Sequence, residues 1–185
     1  MKTVVFFGSA RRKGHTKAIL DHLIEKLDGE VILIDAYREK NIRACVDCRY
    51  CWKVKGCSIK DDMQEVYKHL DEADNLVFAS PVYFHSITGE LKSVIDRLQV
   101  YWTGYFRKDR PESYIRKGAY ILVGGAKLFE GQFEGSEIVF KGVLDDMSAE
   151  CVGKYLYSDS DHVDAKDNPE VLKAVEEIAN KLNVK

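Results

Sequence analysis

Proline is scarce, with three residues in 185, and the 13 glycines are no excess. That composition excludes a collagenous or Pro/Gly-rich disordered chain. Charge of one sign is also missing: 28 Lys and Arg against 30 Asp and Glu leave a formal −2. There is thus no overall basic field to hold a nucleic-acid backbone, and no nucleic-acid partner is expected. Long hydrophobic runs are absent near the start, where Val4 to Phe7 is the longest. It falls far short of the roughly 20 residues of a bilayer span and is too short for the core of a secretory signal. The expectation is a soluble cytoplasmic protein without a membrane partner. No internal repeat and no Gly/Ser-rich linker interrupts the chain, so residues 1–185 are read as one domain. Its 45% hydrophobic content is enough for a core that needs no staple.

What is present is a β-α alternation. Thr3 to Phe7 is apolar and β-branched without polar alternation, the pattern of a strand buried on both faces. Similar runs recur at Val31–Ile34, Leu76–Ala79, Ala119–Val123 and Val152–Tyr157. Between them, apolar residues recur at helical spacing: Leu20, Leu23, Ile24 and Leu27; Met63, Val66, Tyr67 and Leu70; Leu91, Val94, Ile95, Leu98 and Tyr101; Phe140, Val143, Leu144 and Met147. Asp61 or Asp62 can cap the second helix, and Asn168 followed by Pro169 opens the last. Five such units imply right-handed crossovers and an α/β fold with helices on both faces of a parallel sheet. Ligands of these sheets bind beyond the carboxyl ends of the strands, where strand order reverses. The loops after Gly8, Ser80 and Gly124 are therefore the candidates.

The first loop, Gly8-Ser9-Ala10-Arg11-Arg12-Lys13-Gly14-His15-Thr16, offers hydroxyls, a guanidinium and exposed helix amides, a set suited to one phosphate. Its spacing is neither that of a nucleoside triphosphate loop nor that of a dinucleotide fold. The loop after the third strand, Ser80-Pro81-Val82-Tyr83-Phe84-His85-Ser86, adds aromatic rings and open backbone.

Gly8-Ser9-x-Arg11-x-x-Gly14-x-Thr16, Ser80-Pro81-Val82-Tyr83-Phe84, Thr88-Gly89-x-Leu91-Lys92 and Ile95-Asp96-Arg97 together resemble the flavodoxin-fold NAD(P)H-dependent FMN reductases. The resemblance implies a flavodoxin-like three-layer sandwich with a five-stranded parallel sheet of order 2-1-3-4-5. It implies that Ser9, Arg11, His15 and Thr16 hold the FMN phosphate. Pro81, Val82, Tyr83, Phe84 and Ser86 would line the ring, and Gly125 would let the backbone approach its other side. Ala10 and His15 depart from the proline and asparagine usual there. FMN carries the chemistry, so no side chain is assigned as catalytic, His85 included. NAD(P)H is the expected co-substrate, with a small molecule or a redox protein as acceptor. A non-enzymatic carrier and a cluster-free NAD(P)H:FMN or quinone reductase remain alternatives.

The long loop 36–60 carries Cys45-x-x-Cys48-x-x-Cys51-x5-Cys57. Three thiols at intervals of three and a fourth soon after suit the compact wrapping of a cubane. They resemble the motif of the iron-sulfur flavoproteins, a branch of the same family that carries a 4Fe-4S cluster. Zinc, redox thiols and an unmetallated loop stay open as readings. Cys151 stands alone and is expected to be a buried apolar thiol. The aromatic stretch Tyr101, Trp102, Tyr105 and Phe106 is expected either to close over the flavin or to pack against a second subunit, which points to a homodimer.

Overall fold

A computed structural model describes residues 1–39, 41–166 and 168–184. Strands β1 (Lys2–Phe7), β2 (Glu30–Asp35), β3 (Asn75–Pro81), β4 (Arg116–Val123) and β5 (Ala149–Tyr157) form one parallel sheet of order β2-β1-β3-β4-β5. That is the flavodoxin-like order the motifs implied. Helices α1 (His15–Glu25) and α7 (Pro169–Asn183) cover one face. Helices α2 (Met63–Asp71), α3 (Gly89–Asp96) and α6 (Glu134–Asp146) cover the other. The reason is visible in β1, whose side chains alternate between the faces. Val5 and Phe7 meet Leu20 and Leu23, while Val4 and Phe6 join Leu70, Leu91 and Phe140. Phe6 stacks on Phe78 at 4.9 Å between ring centroids, and Phe78 on Phe140 at 5.3 Å. Asn168 caps α7 as expected, its Oδ1 accepting from the Glu170 amide at 3.0 Å, with Pro169 in the first turn.

Two expectations need correction. The apolar periodicity from Leu91 to Tyr101 does not make one helix: α3 stops at Asp96, and the short helices α4 (Gln99–Trp102) and α5 (Gly104–Arg107) follow. Around the break the amides of Arg97, Leu98 and Tyr101 bond three residues back rather than four, while the Arg97 carbonyl accepts from the buried Tyr67 hydroxyl at 2.8 Å. Cys151 is exposed, not buried. The β4–β5 register slips there, pairing Gly118 with Cys151 but Ala119 with Gly153. Val152 is the extra residue of this bulge, and it packs on the core while the cysteine faces out.

Candidate functional site

All three candidate loops leave the carboxyl ends of β1, β3 and β4, and they are stitched together. The Gly8 amide donates to the Ala79 carbonyl at 2.8 Å, and the Thr88 hydroxyl at the start of α3 donates to the Gly8 carbonyl at 2.8 Å. Ser9 and Thr16 are buried, and the Ser9 hydroxyl accepts from the Arg11 amide at 3.2 Å, which curls the loop. Gly14 leads into α1 without any side-chain cap, and the first turn holds no acidic residue. The first amides of α1 are thus open to an anion at the positive end of the helix dipole. Arg11 is exposed and has no ion-pair partner among the described residues, whereas Arg12 is tied to Asp35 at the end of β2. His15 leans away from this centre: its Nδ1 accepts from the Ala165 amide at 3.3 Å and lies 3.4 Å from Asp164 Oδ1, both in the segment before α7.

The second loop is a tight turn. Tyr83 and Ser86 exchange both backbone hydrogen bonds, at 2.8 and 3.1 Å, around Phe84 and His85. Both central residues have positive φ, 46° and 67°. A two-residue turn of this hand normally takes Asn-Gly, because a Cβ is unfavourable there. Phe84 is nonetheless 99% exposed, and Tyr83 beside it and Phe129 are exposed as well. The His85 ring links Phe84 and Phe129, at 5.9 and 6.5 Å between centroids. Strained backbone holding an apolar ring in solvent makes a shelf for a flat partner. Pro81 and Val82 lead into the shelf, where the Val82 amide bonds the Val123 carbonyl at 2.8 Å. Replacing His85 with glycine is expected to relieve the turn and raise stability by about 1 kcal/mol, read as a higher urea midpoint at unchanged slope.

Behind the turn, a Cβ on Gly135 in the first turn of α6 would lie 2.2 Å from the His85 carbonyl oxygen, so only glycine lets the helix approach. In the third loop the space beside Gly125 is filled by Asp161, whose Oδ2 would be 2.6 Å from a Cβ there. Sequence reading missed Tyr37, which stands beside Glu90, Thr88 and Tyr83; burial pushes its phenol up to about 12.

The cysteine loop lies against α3, α4 and α5. All five cysteines are free thiols. Asp47 and Arg49, on either side of Cys48, have positive φ, which winds the loop sharply. Cys45, Cys48, Cys51 and Cys57 line one hollow of about 20 Å³ together with Arg97 and Val100. Among the described residues no three Cys, His, Asp or Glu side chains stand close enough to hold one metal ion. The Ser58 hydroxyl, 3.3 Å from the Cys48 sulfur, pulls that thiol below its ordinary value, while burial pushes Cys51 up.

Arg97 fastens this loop, a role that its place in a motif did not disclose. It is 1% exposed. Its guanidinium donates to both Asp61 oxygens at 2.7 and 3.0 Å, to the Arg43 carbonyl at 2.6 Å and to the Cys57 sulfur at 3.5 Å. Both ends of the cysteine segment are thereby bound to the end of α3. A second arginine, Arg107, donates to the Cys51 carbonyl. The aromatic stretch divides: Trp52 of the cysteine loop stacks on Phe106 at 4.7 Å and meets Trp102 edge-on at 5.5 Å, so these rings cover the loop rather than the shelf. Tyr105 stays exposed.

The sequence pattern of the family described as NADPH-dependent FMN reductase matches residues 1–133. An iron-sulfur flavoprotein of Methanocaldococcus jannaschii is 37% identical over 129 residues, 68% of this chain and 62% of that protein. Another, from Archaeoglobus fulgidus, is 33% identical over 139 residues, 74% of this chain and 66% of its own length. The chain thus spans roughly three fifths of the first of these relatives. Among solved structures, the NAD(P)H:quinone oxidoreductase from Methanothermobacter marburgensis superposes with a TM-score of 0.66 at 20% identity, covering 98% of this chain and 93% of that one, a likeness of fold. Because the family pattern takes in the open helix end, the aromatic turn and the cysteine loop alike, the chain belongs to the NADPH-dependent FMN reductase family, on its iron-sulfur flavoprotein branch.

Proposed function

We propose that the protein is an FMN-dependent oxidoreductase that accepts electrons from NAD(P)H and delivers them to a small molecule or a redox protein. The observation that carries this reading is the uncapped, acid-free start of α1 beside the exposed Phe84 turn. An anion-ready helix end next to an aromatic shelf fits a ligand with a phosphate at one end and a flat ring at the other. Ser9, Arg11 and Thr16, with the α1 amides, hold the phosphate. Pro81, Val82, Tyr83, Phe84 and Ser86 hold the ring, and the Gly125 backbone would approach its other side once Asp161 gives way. His15, held by the Ala165 amide, is left out of the phosphate contacts. When bound, FMN supplies both hydride and single-electron chemistry. The chain's part is to bind, orient and shield.

Arg11→Gln is expected to weaken FMN binding about tenfold while leaving riboflavin binding unchanged, as measured by flavin fluorescence titration. The reading itself is tested by mixing the flavin-loaded protein anaerobically with NADH and with NADPH. Bleaching of the flavin band by either supports a reductase. A band that persists with both assigns the protein to electron carriers instead.

The four thiols fit a 4Fe-4S cluster in donor chemistry, and the Arg97 and Ser58 contacts to two of the sulfurs add the hydrogen bonds that tune such sites. The loop must open from its closed hollow to accept one. Iron and acid-labile sulfide in anaerobically purified protein, near four of each per chain, would establish the cluster; neither above background would reject it. No helix of the described residues is long and apolar enough to cross a membrane. Free thiols suit a reducing cytoplasm, and the exposed Tyr105 and Phe106 suit a homodimer contact.

A further inference from the structure

A sizeable cavity lies away from the flavin shelf. A recess of about 610 Å³ lies among α2, α4, residues 107–111, the start of β4, the turn between α6 and β5, and residues Lys55 and Gly56 of the cysteine loop. Arg116 opens β4 and Val123 closes it, so the recess sits about 23 Å from the flavin edge of the sheet. Its volume falls in the range of sites for small organic molecules.

The charges around it are mostly spoken for. Arg107 pairs with Asp109, Arg110 with Asp145, and Lys68 with Glu65. Asp71 accepts from the Tyr101 hydroxyl at 3.2 Å. Arg116 is the exception: among the described residues it makes no ion pair and no side-chain hydrogen bond, and its Nε is sealed from solvent without a partner. Lys55, exposed on the facing loop, has no ion pair among the described residues either. Burial lowers the Arg116 guanidinium from its ordinary value, outweighing the opposing pull of Tyr101 and Asp71 nearby, neither of which reaches it as a hydrogen-bond or ion-pair partner. A half-buried arginine left this way is costly unless an anion completes it. Gln64, Ser148 and Asp146, which lies 3.9 Å from Arg110, add polar wall, and Val100, Met147, Ile115 and the ring of Tyr101 supply the apolar part.

From these features we infer that the recess is a second binding site, independent of the flavin, for a small organic acid. Its carboxylate would pair with Arg116 and Lys55, and its apolar body would lie on Val100, Tyr101 and Met147. Because Lys55 belongs to the cysteine loop and Arg107, at the rim, holds the Cys51 carbonyl, an occupant would touch the segment that carries the thiols.

The test is calorimetric titration of 2-naphthoate into the protein with excess FMN present, so that the first loop is not available to the probe. Its uncharged counterpart 2-naphthalenemethanol is titrated in parallel. Saturable binding of the acid with a dissociation constant of about 1 mM or tighter is expected, with the alcohol at least about tenfold weaker. Arg116→Gln should weaken the acid about tenfold, and Arg116→Lys less than that. Lys55→Gln, on the surface, should cost about threefold and decides the matter if the Arg116 variants do not fold. No saturable uptake at about 5 mM, equal binding of acid and alcohol, or unchanged affinity in Lys55→Gln and Arg116→Gln would each overturn the assignment.

Discussion

Replacing Arg97 with methionine is expected to destabilise the protein by about 3–5 kcal/mol, because it strands the Asp61 carboxylate in a site that is closed to water. Both side chains are essentially inaccessible, and the pair is bidentate at 2.7 and 3.0 Å, so solvent screening cannot replace the lost partner. The cost is not confined to one ion pair. The same guanidinium bonds the Arg43 carbonyl before the first thiol and the sulfur of Cys57, the last. The variant should therefore also release the cysteine loop, seen as faster alkylation of Cys57 at a pH and temperature where both proteins remain folded. Arg97→Lys keeps the charge but not the fork and should recover only part of the loss. A urea curve for Arg97→Met within about 1 kcal/mol of the parent would contradict this account.

The pH dependence of this pair has a defined sign. Burial pushes the Asp61 carboxyl up, but the hydrogen bonds from Arg97 and the Arg43 amide outweigh it and hold the group below the ordinary 3.8. A carboxylate depressed in the folded state stabilises above its unfolded value and loses that contribution as pH falls through the folded value. Asp61 should thus add to acid unfolding only below pH 3.8, and Asp61→Asn should flatten the acid limb there.

The second large effect is expected at Gly135. Alanine would place a Cβ 2.2 Å from the His85 carbonyl, and the obstacle is backbone, not a flexible side-chain end. Either α6 or the Phe84–His85 turn must move. The turn already holds two residues at positive φ, so it is the element with less to lose. Overpacking of this kind costs about 1–3 kcal/mol, which corresponds to roughly a 5- to 150-fold loss of FMN affinity if the turn absorbs the strain. Flavin titration and urea unfolding of Gly135→Ala separate the outcomes: weaker FMN with near-parental stability locates the movement in the shelf. Unchanged FMN affinity with lowered stability would locate the movement in α6; a turn that shifts, seen as near-parental stability, with unchanged FMN affinity would mean that the shelf does not hold the ring.

The sheet was legible in the sequence because strands buried on both faces must be continuously apolar, as Val4–Phe7, Leu76–Ala79 and Ala119–Val123 are. Its strand order followed from the motif resemblance together with the handedness of crossovers. The first loop and the aromatic turn were legible as residue types, but the strain at Phe84 and His85 was not, since neither residue announces positive φ. The end of α3 was hidden because the apolar spacing runs on through Leu98 and Tyr101 in helical phase; a tertiary contact, the Tyr67 phenol on the Arg97 carbonyl, marks the break. Cys151 faced the wrong way in the sequence reading because one bulged residue reverses which side chains point inward. The partners of Arg97 and of His15 lie 36 and 150 residues away, beyond the reach of any local pattern.

The central claim is that the mouth of the sheet grips a flavin by its phosphate. The most direct measurement titrates flavin-free protein with FMN and with riboflavin, which differ in that group alone, and follows the quenching of flavin fluorescence. Two or more charge-assisted hydrogen bonds from the α1 amides and Arg11 predict that FMN binds at least about 100-fold more tightly. Equal affinities for the two flavins, or uptake of neither, would contradict the account.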